Sequence, residues 1–292
     1  MSVQTDDDVY LAHRDALFGL AYRMLGSISD AEDVVAESYL RWRRSNRDNV
    51  DNPRAFLFSI ASRLSLDLLT SAQRSRVDYV GNWLPEPLLA SYDDPAAAAE
   101  TTDTISLAFL HLLEQLTPQE RAVFVLRNAF DYPHAEIAGL LDMSADNVRQ
   151  LHRRAQLRLG AGAAPRFVPD TARGRELAQR FLAAAATGEV QPLAELLAED
   201  VVLVGDGGGK AASVRRPISG RLKIARFVRR LGLLSPPGTR FDVVLANGAP
   251  ALLVVTPEAI EGVYAIDFDP VTELVIGIHA VRNPDKLGRV RR

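Results

Sequence analysis

The 292-residue chain has no cysteine, which excludes disulfides and thiolate metal sites. It has no run near the roughly 20 apolar residues needed to span a bilayer. Its opening, MSVQTDDDVY, lacks the basic flank and apolar stretch of a secretory signal. A global positive field is also missing: 34 Lys and Arg stand against 37 Asp and Glu, a formal charge of −3, so any nucleic-acid binding must come from local patches. No internal repeat is legible. What remains is globular composition, 47% hydrophobic and 24% charged, in a chain long enough for about two domains with cores of their own. These features predict a soluble, cytosolic, multidomain protein without membrane contact.

From Val9 to about Thr70 apolar residues recur at helical spacing: Leu17, Leu20, Ala21 and Met24, then Val34, Val35 and Tyr39, then Phe56, Ile60, Leu64 and Leu68. Three helices are expected, broken at GSISDAED and DNVDNPRAF. Ser29 is the expected cap of the second, with Asp30, Glu32 and Asp33 on its positive end, and Asn52 precedes Pro53 at the start of the third. Between Ser71 and about Glu100 the periodicity fails and prolines accumulate, so this is a linker. Within it WLPEPL, Trp83 to Leu88, carries too much apolar area for a free tether. It is either a segment tucked on the nearest domain or a docking segment that holds two domains in one arrangement.

Helices return from Thr102 to about Leu159. In LTPQERAVFVLRNAFDYPHAEIAGLLDMSADNVRQLHRRAQLRL, Thr117 and Pro118 start one helix, PHAEIAGLL is a short second, DMS is a tight connection, and Ser144 caps a last helix from about Ala145 to Leu159. Val148, Leu151 and Ala155 form its packed stripe. Arg149, Arg153 and Arg154 lie elsewhere on its surface. Two helices joined so closely, the second basic outside, make a helix-turn-helix whose second helix enters the major groove.

After GAGAAPRFVP the chain forms two helices and then five strand-like runs, DVVLVGD, RFDVVLANG, ALLVVTP, AIEGVYAIDFD and ELVIGIHAVR, interrupted by a helix from Arg221 to Leu231. Asn247-Gly248 is a hairpin signal. The expected plan is α+β, helices on one face of a curved antiparallel sheet. Strict alternation in the last strand places Leu274, Ile276 and Ile278 on one face and Val275, Gly277 and His279 on the other. Within LVGDGGGK, Lys210 is followed by Ala211-Ala212-Ser213 rather than by Ser or Thr and a helix, so a phosphate loop is not supported. The glycines supply a strand-end turn.

These motifs, in this order and spacing, resemble bacterial extracytoplasmic function sigma factors. DAEDVVAESYLRW and NPRAFLFSIASRLSLDLL resemble region 2, and the helix-turn-helix resembles region 4. WLPEP in the linker, DGGGK in the third segment and NPDKL (Asn283 to Leu287) near the end resemble the SigJ-like group 41, which carries a C-terminal SnoaL-like cone. The resemblance covers almost the whole chain. It implies region 2 at 1–71, a linker at 72–101, region 4 at 102–162, a SnoaL-like domain at 171–282 and a tail at 283–292.

The resemblance further implies core RNA polymerase and promoter DNA as partners, with room for an unidentified small ligand of the cone, and no cofactor. Asp30, Glu32, Asp33, Val34 and Glu37 are the expected polymerase contacts. Asn52, Arg54, Ser62, Arg63 and Asp67 are expected at the minus-ten element, with Arg74 and Arg76 as further phosphate contacts. Ser144, Asn147, Arg149, Gln150, Arg153 and Arg154 are expected at the minus-thirty-five element. Trp83, Leu84, Pro85, Asp206, Gly207, Gly208, Gly209, Lys210, Asn283, Asp285 and Lys286 are expected to regulate by joining domains. No catalytic or metal-binding set is expected. Two alternatives stay open: a helix-turn-helix regulator that senses a ligand in the cone without polymerase, and a cyclase- or isomerase-type cone. The latter needs a carboxylate base in an apolar pocket, with Asp200, Asp206, Asp242, Asp267 and His279 as the polar candidates.

Overall fold

A computed structural model describes residues 6–45, 50–76, 79–91, 106–160 and 171–290. The chain forms two compact units, Met1–Val77 with Leu112–Ala163, and Asp78–His111 with Ala164–Arg292. The Gly/Ala/Pro joint, much of the linker and the side chains of Arg74 and Arg76 lie outside the described residues.

The first unit is helical. Helices α1 (Asp6–Leu25), α2 (Ile28–Arg44) and α3 (Pro53–Arg76) pack on one another. Their core holds Leu17, Leu20, Met24, Val34, Trp42, Leu57, Phe58 and Leu69, all nearly inaccessible to water, as the helical spacing requires. The cap of α2 is Ser27, not Ser29: its hydroxyl accepts from the Asp30 amide at 3.3 Å. Ser29 is the second residue of the helix, where its own hydroxyl contacts that of Ser27. The Asn52 carbonyl oxygen accepts from the Ala55 amide at 3.0 Å and starts α3 as expected. Pro53–Ala72 within α3 is long and apolar enough for a membrane span by length and composition, contrary to the sequence expectation. Within it Leu57, Phe58, Ala61 and Leu69 are buried in the unit.

Helix α4 (Leu107–Leu113) precedes α5 (Pro118–Ala129), α6 (His134–Leu141) and α7 (Ala145–Leu159). A reciprocal capping box at Thr117 and Glu120 starts α5. The turn between α6 and α7 uses Asp142 in the left-handed region, φ 56°, and Ser144 caps α7 by accepting from the Asn147 amide at 3.2 Å. Val148, Leu151, Ala155 and Leu159 form the buried stripe of α7. Arg121 on α5 has no solvent exposure; its charge is met by Glu114, and its Nε donates to the Arg23 carbonyl at 3.1 Å, the pairing a buried guanidinium requires.

The second unit is α+β. Helices α8 (Thr171–Ala186), α9 (Val190–Glu195) and α10 (Arg221–Leu234) accompany a seven-stranded sheet, ordered β1-β4-β5-β6-β7-β2-β3. Its strands are β1 (Leu89–Ala90), β2 (Leu197–Asp206), β3 (Ile218–Ser219), β4 (Arg240–Ala246), β5 (Ala249–Val255), β6 (Ile260–Phe268) and β7 (Val275–Val281). The sheet is mixed rather than antiparallel, because β2 runs parallel to β7. The connection between these two parallel neighbours holds helix α10 together with strands β3 to β6. Asn247 and Gly248, φ 53° and 73°, make the β4–β5 hairpin.

Strict alternation fails in β7. Opposite β6, Phe268 pairs with Val275 but Asp267 pairs with Gly277, so the extra residue forms a bulge. Val275 and Ile278 therefore share the helix-facing core with Phe181, Leu252, Ile266 and Phe268. The opposite face buries Leu84, Leu107, Val204, Leu253, Val263, Val281 and Leu287.

The motif latch and the candidate nucleic-acid interface

Asp206 ends β2 with no solvent exposure, and a buried carboxylate needs partners for its charge and lone pairs. One oxygen accepts from the Tyr79 hydroxyl at 2.6 Å and the Gly208 amide at 3.0 Å. The other accepts from the Leu84 amide at 2.9 Å and Lys286 Nζ at 2.7 Å. Lys286 is itself 8% exposed. Its ammonium lies 4.0 Å from the Trp83 ring centroid and 5.2 Å from that of Tyr79, and also donates to the Leu84 carbonyl. An aromatic cage with a carboxylate at its base suits a desolvated cation. Burial, and secondarily the bond to Asp206, pushes the Tyr79 hydroxyl far above the usual phenol range, so it serves as a donor.

The three motifs thus converge within one unit. Pro85 is buried, and Leu84 packs with Leu287 in the outer-face core. Asn283 donates to the Tyr79 oxygen at 2.9 Å and caps the 3₁₀ turn Pro284–Lys286 by accepting from the Asp285 amide. Lys210 pairs with Asp285, both well exposed, so this bridge contributes little. The glycines of the turn admit close approach. Gly208 and Gly209 have φ 58° and 73°, and a Cβ at Gly209 would stand 3.3 Å from Val80. Gly207 accepts the Lys210 and Ala211 amides and closes the turn.

The linker also joins the sheet. The Leu88 amide donates to the Asn247 side chain at 3.0 Å, the Asn247 amide donates back to the Leu88 carbonyl at 2.8 Å, and Leu89–Ala90 pairs with β4. The roles of Tyr79, of Asn82, whose side-chain amide donates to the Gly205 carbonyl at 3.3 Å, and of Asn247 as a partner of the linker were missed by the sequence reading. Lone polar residues in a proline-rich stretch and a hairpin carry no motif, although the same hairpin signal did mark Asn247.

No catalytic arrangement occupies the cone among the described residues. Its helix-facing cluster is apolar, and the hollow lined by Leu177, Arg180, Phe181, Leu196, Phe268, Glu273 and Val275 holds about 10 Å³, room for one water at most. Asp200 is exposed, Asp242 binds Arg240 at 2.8 Å, and Asp206 is engaged in the latch. Asp267 and His279 lie 3.2 Å apart on the strand positions that alternate with Ile266 and Ile278. They therefore share the face opposite the helices, where the His279 ring meets that of His111.

In the helical unit Ser144, Asn147, Arg149, Gln150, Arg153 and Arg154 are all exposed on one helix, the presentation that reading base edges requires. Arg149 is held by Asp146 one turn earlier. His152 on the same helix meets His134 at 3.3 Å and Asn128 at 2.9 Å. Burial lowers its pKa, and the neighbouring His134 and Arg127 charges lower it further.

The α3 residues divide. Asn52, Arg54, Arg63 and Asp67 are exposed, with the Arg54 guanidinium 5.2 Å from the Phe58 ring centroid and 5.3 Å from that of Tyr132. Ser62 is fully buried and its hydroxyl has no hydrogen-bond partner, so it packs the core rather than lining a base pocket. Arg63 Nε and Ser59 Oγ both donate to the Leu140 carbonyl at 3.0 Å, tying α3 to the first helix of the helix-turn-helix. On α2, Glu32 and Asp33 are exposed, Asp30 and Glu37 half-buried, and Glu37 holds Arg41 at 2.8 Å. Val34, 1% exposed, is core and presents no surface to a partner.

Sigma-70 region 2 matches residues 9–75 and Sigma-70 region 4 matches residues 106–159. The ECF RNA polymerase sigma factor SigJ of Mycobacterium tuberculosis is 39% identical over 246 residues, covering 81% of this chain and 77% of that protein. The chain belongs to the extracytoplasmic function sigma factors. The probable ECF sigma factor SigI of M. tuberculosis is 31% identical over 96% of this chain and 94% of its own length. The crystal structure of M. tuberculosis SigJ matches with a TM-score of 0.74 at 31% identity, covering 95% of this chain and 96% of that one. This sigma factor is therefore a promoter-recognition subunit of RNA polymerase rather than an enzyme. Its region 2 helices share one compact unit with region 4 from Leu112 onward, and its SnoaL-like domain shares the other with the linker motif and the start of region 4 through His111.

Proposed function

We propose that this sigma factor directs transcription initiation under the control of its own C-terminal domain, and that the Asp206 latch is the controlling contact. The observation that carries the reading is the meeting at one buried carboxylate of the linker through Tyr79 and Leu84, the glycine turn through Gly208, and the tail through Lys286. Only the short tail after β7 need leave for the linker to lose its cation. In the helical unit, Arg63 is occupied by the Leu140 carbonyl. This supports reading the arrangement as a closed form, from which Arg63 is released on binding polymerase to join the already exposed Asn52, Arg54 and Asp67 at the minus-ten element.

Asp30, Glu32, Asp33 and Glu37 are then the polymerase-facing carboxylates, and the α7 arginines read the minus-thirty-five element. The protein acts beside polymerase in the cytoplasm. The deciding experiment is transcription with bacterial core polymerase on the gene's own upstream region, comparing the full chain with one ending at Arg282. A changed yield or changed promoter choice from the same start supports control through the tail. Equal transcription from both chains refutes it.

A further inference from the structure

One surface is used by neither the helix-turn-helix nor the latch. The segment RRPISGRLKIARFVRR, residues 215–230, contains seven Lys or Arg and no Asp or Glu, in a chain whose formal charge is −3. Arg215, Arg216, Lys223, Arg226, Arg229 and Arg230 are all exposed, and none forms an ion pair with a described residue. This contrasts with the rest of the same unit, where Arg173 binds Glu273, Arg240 binds Asp242 and Arg282 binds Glu261. Unpaired cations so concentrated repel one another. Like charges at i, i+3 and i, i+4 destabilise a helix, and Lys223, Arg226 and Arg230 stand at those spacings on α10.

The helix keeps this arrangement because its other face is firmly held. Ile224 and Ala225 are fully buried in the helix-facing core, and Phe227 and Val228 pack against it. With 100° per residue, Lys223, Arg226 and Arg230 project from the side opposite Ile224, Ala225 and Val228, and the exposed Arg229 stands on the flank beside Arg226. The apolar face of α10 is therefore spent inside the domain, not free for a bilayer. Leu222 is the exposed leucine amid the cations, while Leu233 and Leu234 stand in the last turn.

We infer that the outer face of α10, with Arg215 and Arg216, is a second DNA-contacting surface, which binds the phosphate backbone of duplex DNA without reading its sequence. Duplex DNA offers about one negative charge per 1.7 Å of its axis, the polyanion that a row of unpaired cations complements. Phosphate contacts position a protein on the duplex and add affinity. The SnoaL-like domain then contributes to promoter retention as well as to control, and this role stands whether or not the latch regulates.

The test measures promoter binding by the full chain with core polymerase across a salt series, for the natural protein, the triple variant Arg226→Gln/Arg229→Gln/Arg230→Gln, and the matching triple Arg→Lys variant. Neutralising the three residues is expected to reduce the slope of log affinity against log salt by about 2–3, at roughly 0.9 per lost phosphate contact. The preference for the promoter over a scrambled minus-thirty-five element should be unchanged, and the Lys variant should keep the full slope. An unchanged slope in the Gln variant overturns the inference. So does a loss confined to polymerase binding or to vesicles of anionic lipid, since either assigns the surface to a protein or a membrane. A slope lost equally in the Lys variant also overturns it, because phosphate contact by point charge survives that exchange.

Discussion

Lys286 Nζ lies 2.7 Å from Asp206 and 4.0 Å above the Trp83 ring centroid, although Trp83 and Lys286 are some two hundred positions apart in the chain. Both charges are buried, so neither is stable without the other. Lys286→Met leaves the Asp206 carboxylate without its cation and is expected to destabilise the C-terminal unit by about 3–5 kcal/mol, seen as a lower denaturation midpoint. Adding Asp206→Asn should recover much of the loss. A double-mutant cycle without coupling between the two positions would show that they do not act as a pair.

Ser59 and Arg63 separate closure from DNA contact. Both donate to Leu140, but Ser59 alone is not an expected DNA ligand. Ser59→Ala should weaken the contact between α3 and α6 by about 0.5–1.5 kcal/mol. Promoter-directed transcription should then rise roughly two- to tenfold, with faster amide exchange in α6. Arg63→Ala loosens the same contact yet removes the proposed minus-ten cation, so transcription should fall. Parallel changes in the two variants would refute this division of roles.

On α7, the proposed recognition helix, Arg153→Ala should lower discrimination between the cognate and an altered minus-thirty-five element by about 1–3 kcal/mol if its guanidinium reads a guanine edge. Arg149→Ala should do the same and also free Asp146. Quantitative footprinting on both elements checks this. A uniform loss on every sequence would assign these arginines to phosphates.

The helical unit should lose stability in mild acid. His152 and His13 both have pKa values lowered by burial, with the His134 and Arg127 charges adding to the effect at His152 and Arg54 at His13. The folded form thus holds fewer protons than the unfolded chain below about pH 6.5, the ordinary histidine value. Stability is full above that value and declines as the pH falls toward the depressed folded values, where the loss levels off. Denaturation series from about pH 7 to about pH 5 should show the fall, and His152→Gln should flatten it. An unchanged pH dependence in that variant would remove His152 from the account.

Local patterns carried much of the fold. The three region 2 helices, the cap at Ser144 and the Asn247-Gly248 hairpin were legible because each depends on residues within a few positions of one another. The misreadings are mostly longer-range. Ser29 and Ser27 are equally good caps by composition, but Ser27 is the residue with extended backbone, φ −123° and ψ 131°, and Ser29 is already helical. The β7 bulge shifts Val275 onto the helix-facing side through pairing with β6, which no periodicity in β7 alone reveals. The parallel β2–β7 contact depends on closure of a loop of more than sixty residues. Val34 and Ser62 were placed on surfaces because their motifs are exposed, yet the helix register turns these two inward.

The amino-acid sequence by itself determined the helical segments, the recognition helix with its arginines outward, and three motifs spaced far along the chain. These follow from periodicity, capping and side-chain chemistry, all local in sequence. Only the tertiary structure decided that the motifs share one buried carboxylate, that Tyr79 and Asn247 hold the linker, and that the Asp267–His279 pair lies outside the apolar cone interior. Those outcomes depend on which distant groups must satisfy one another once water is excluded.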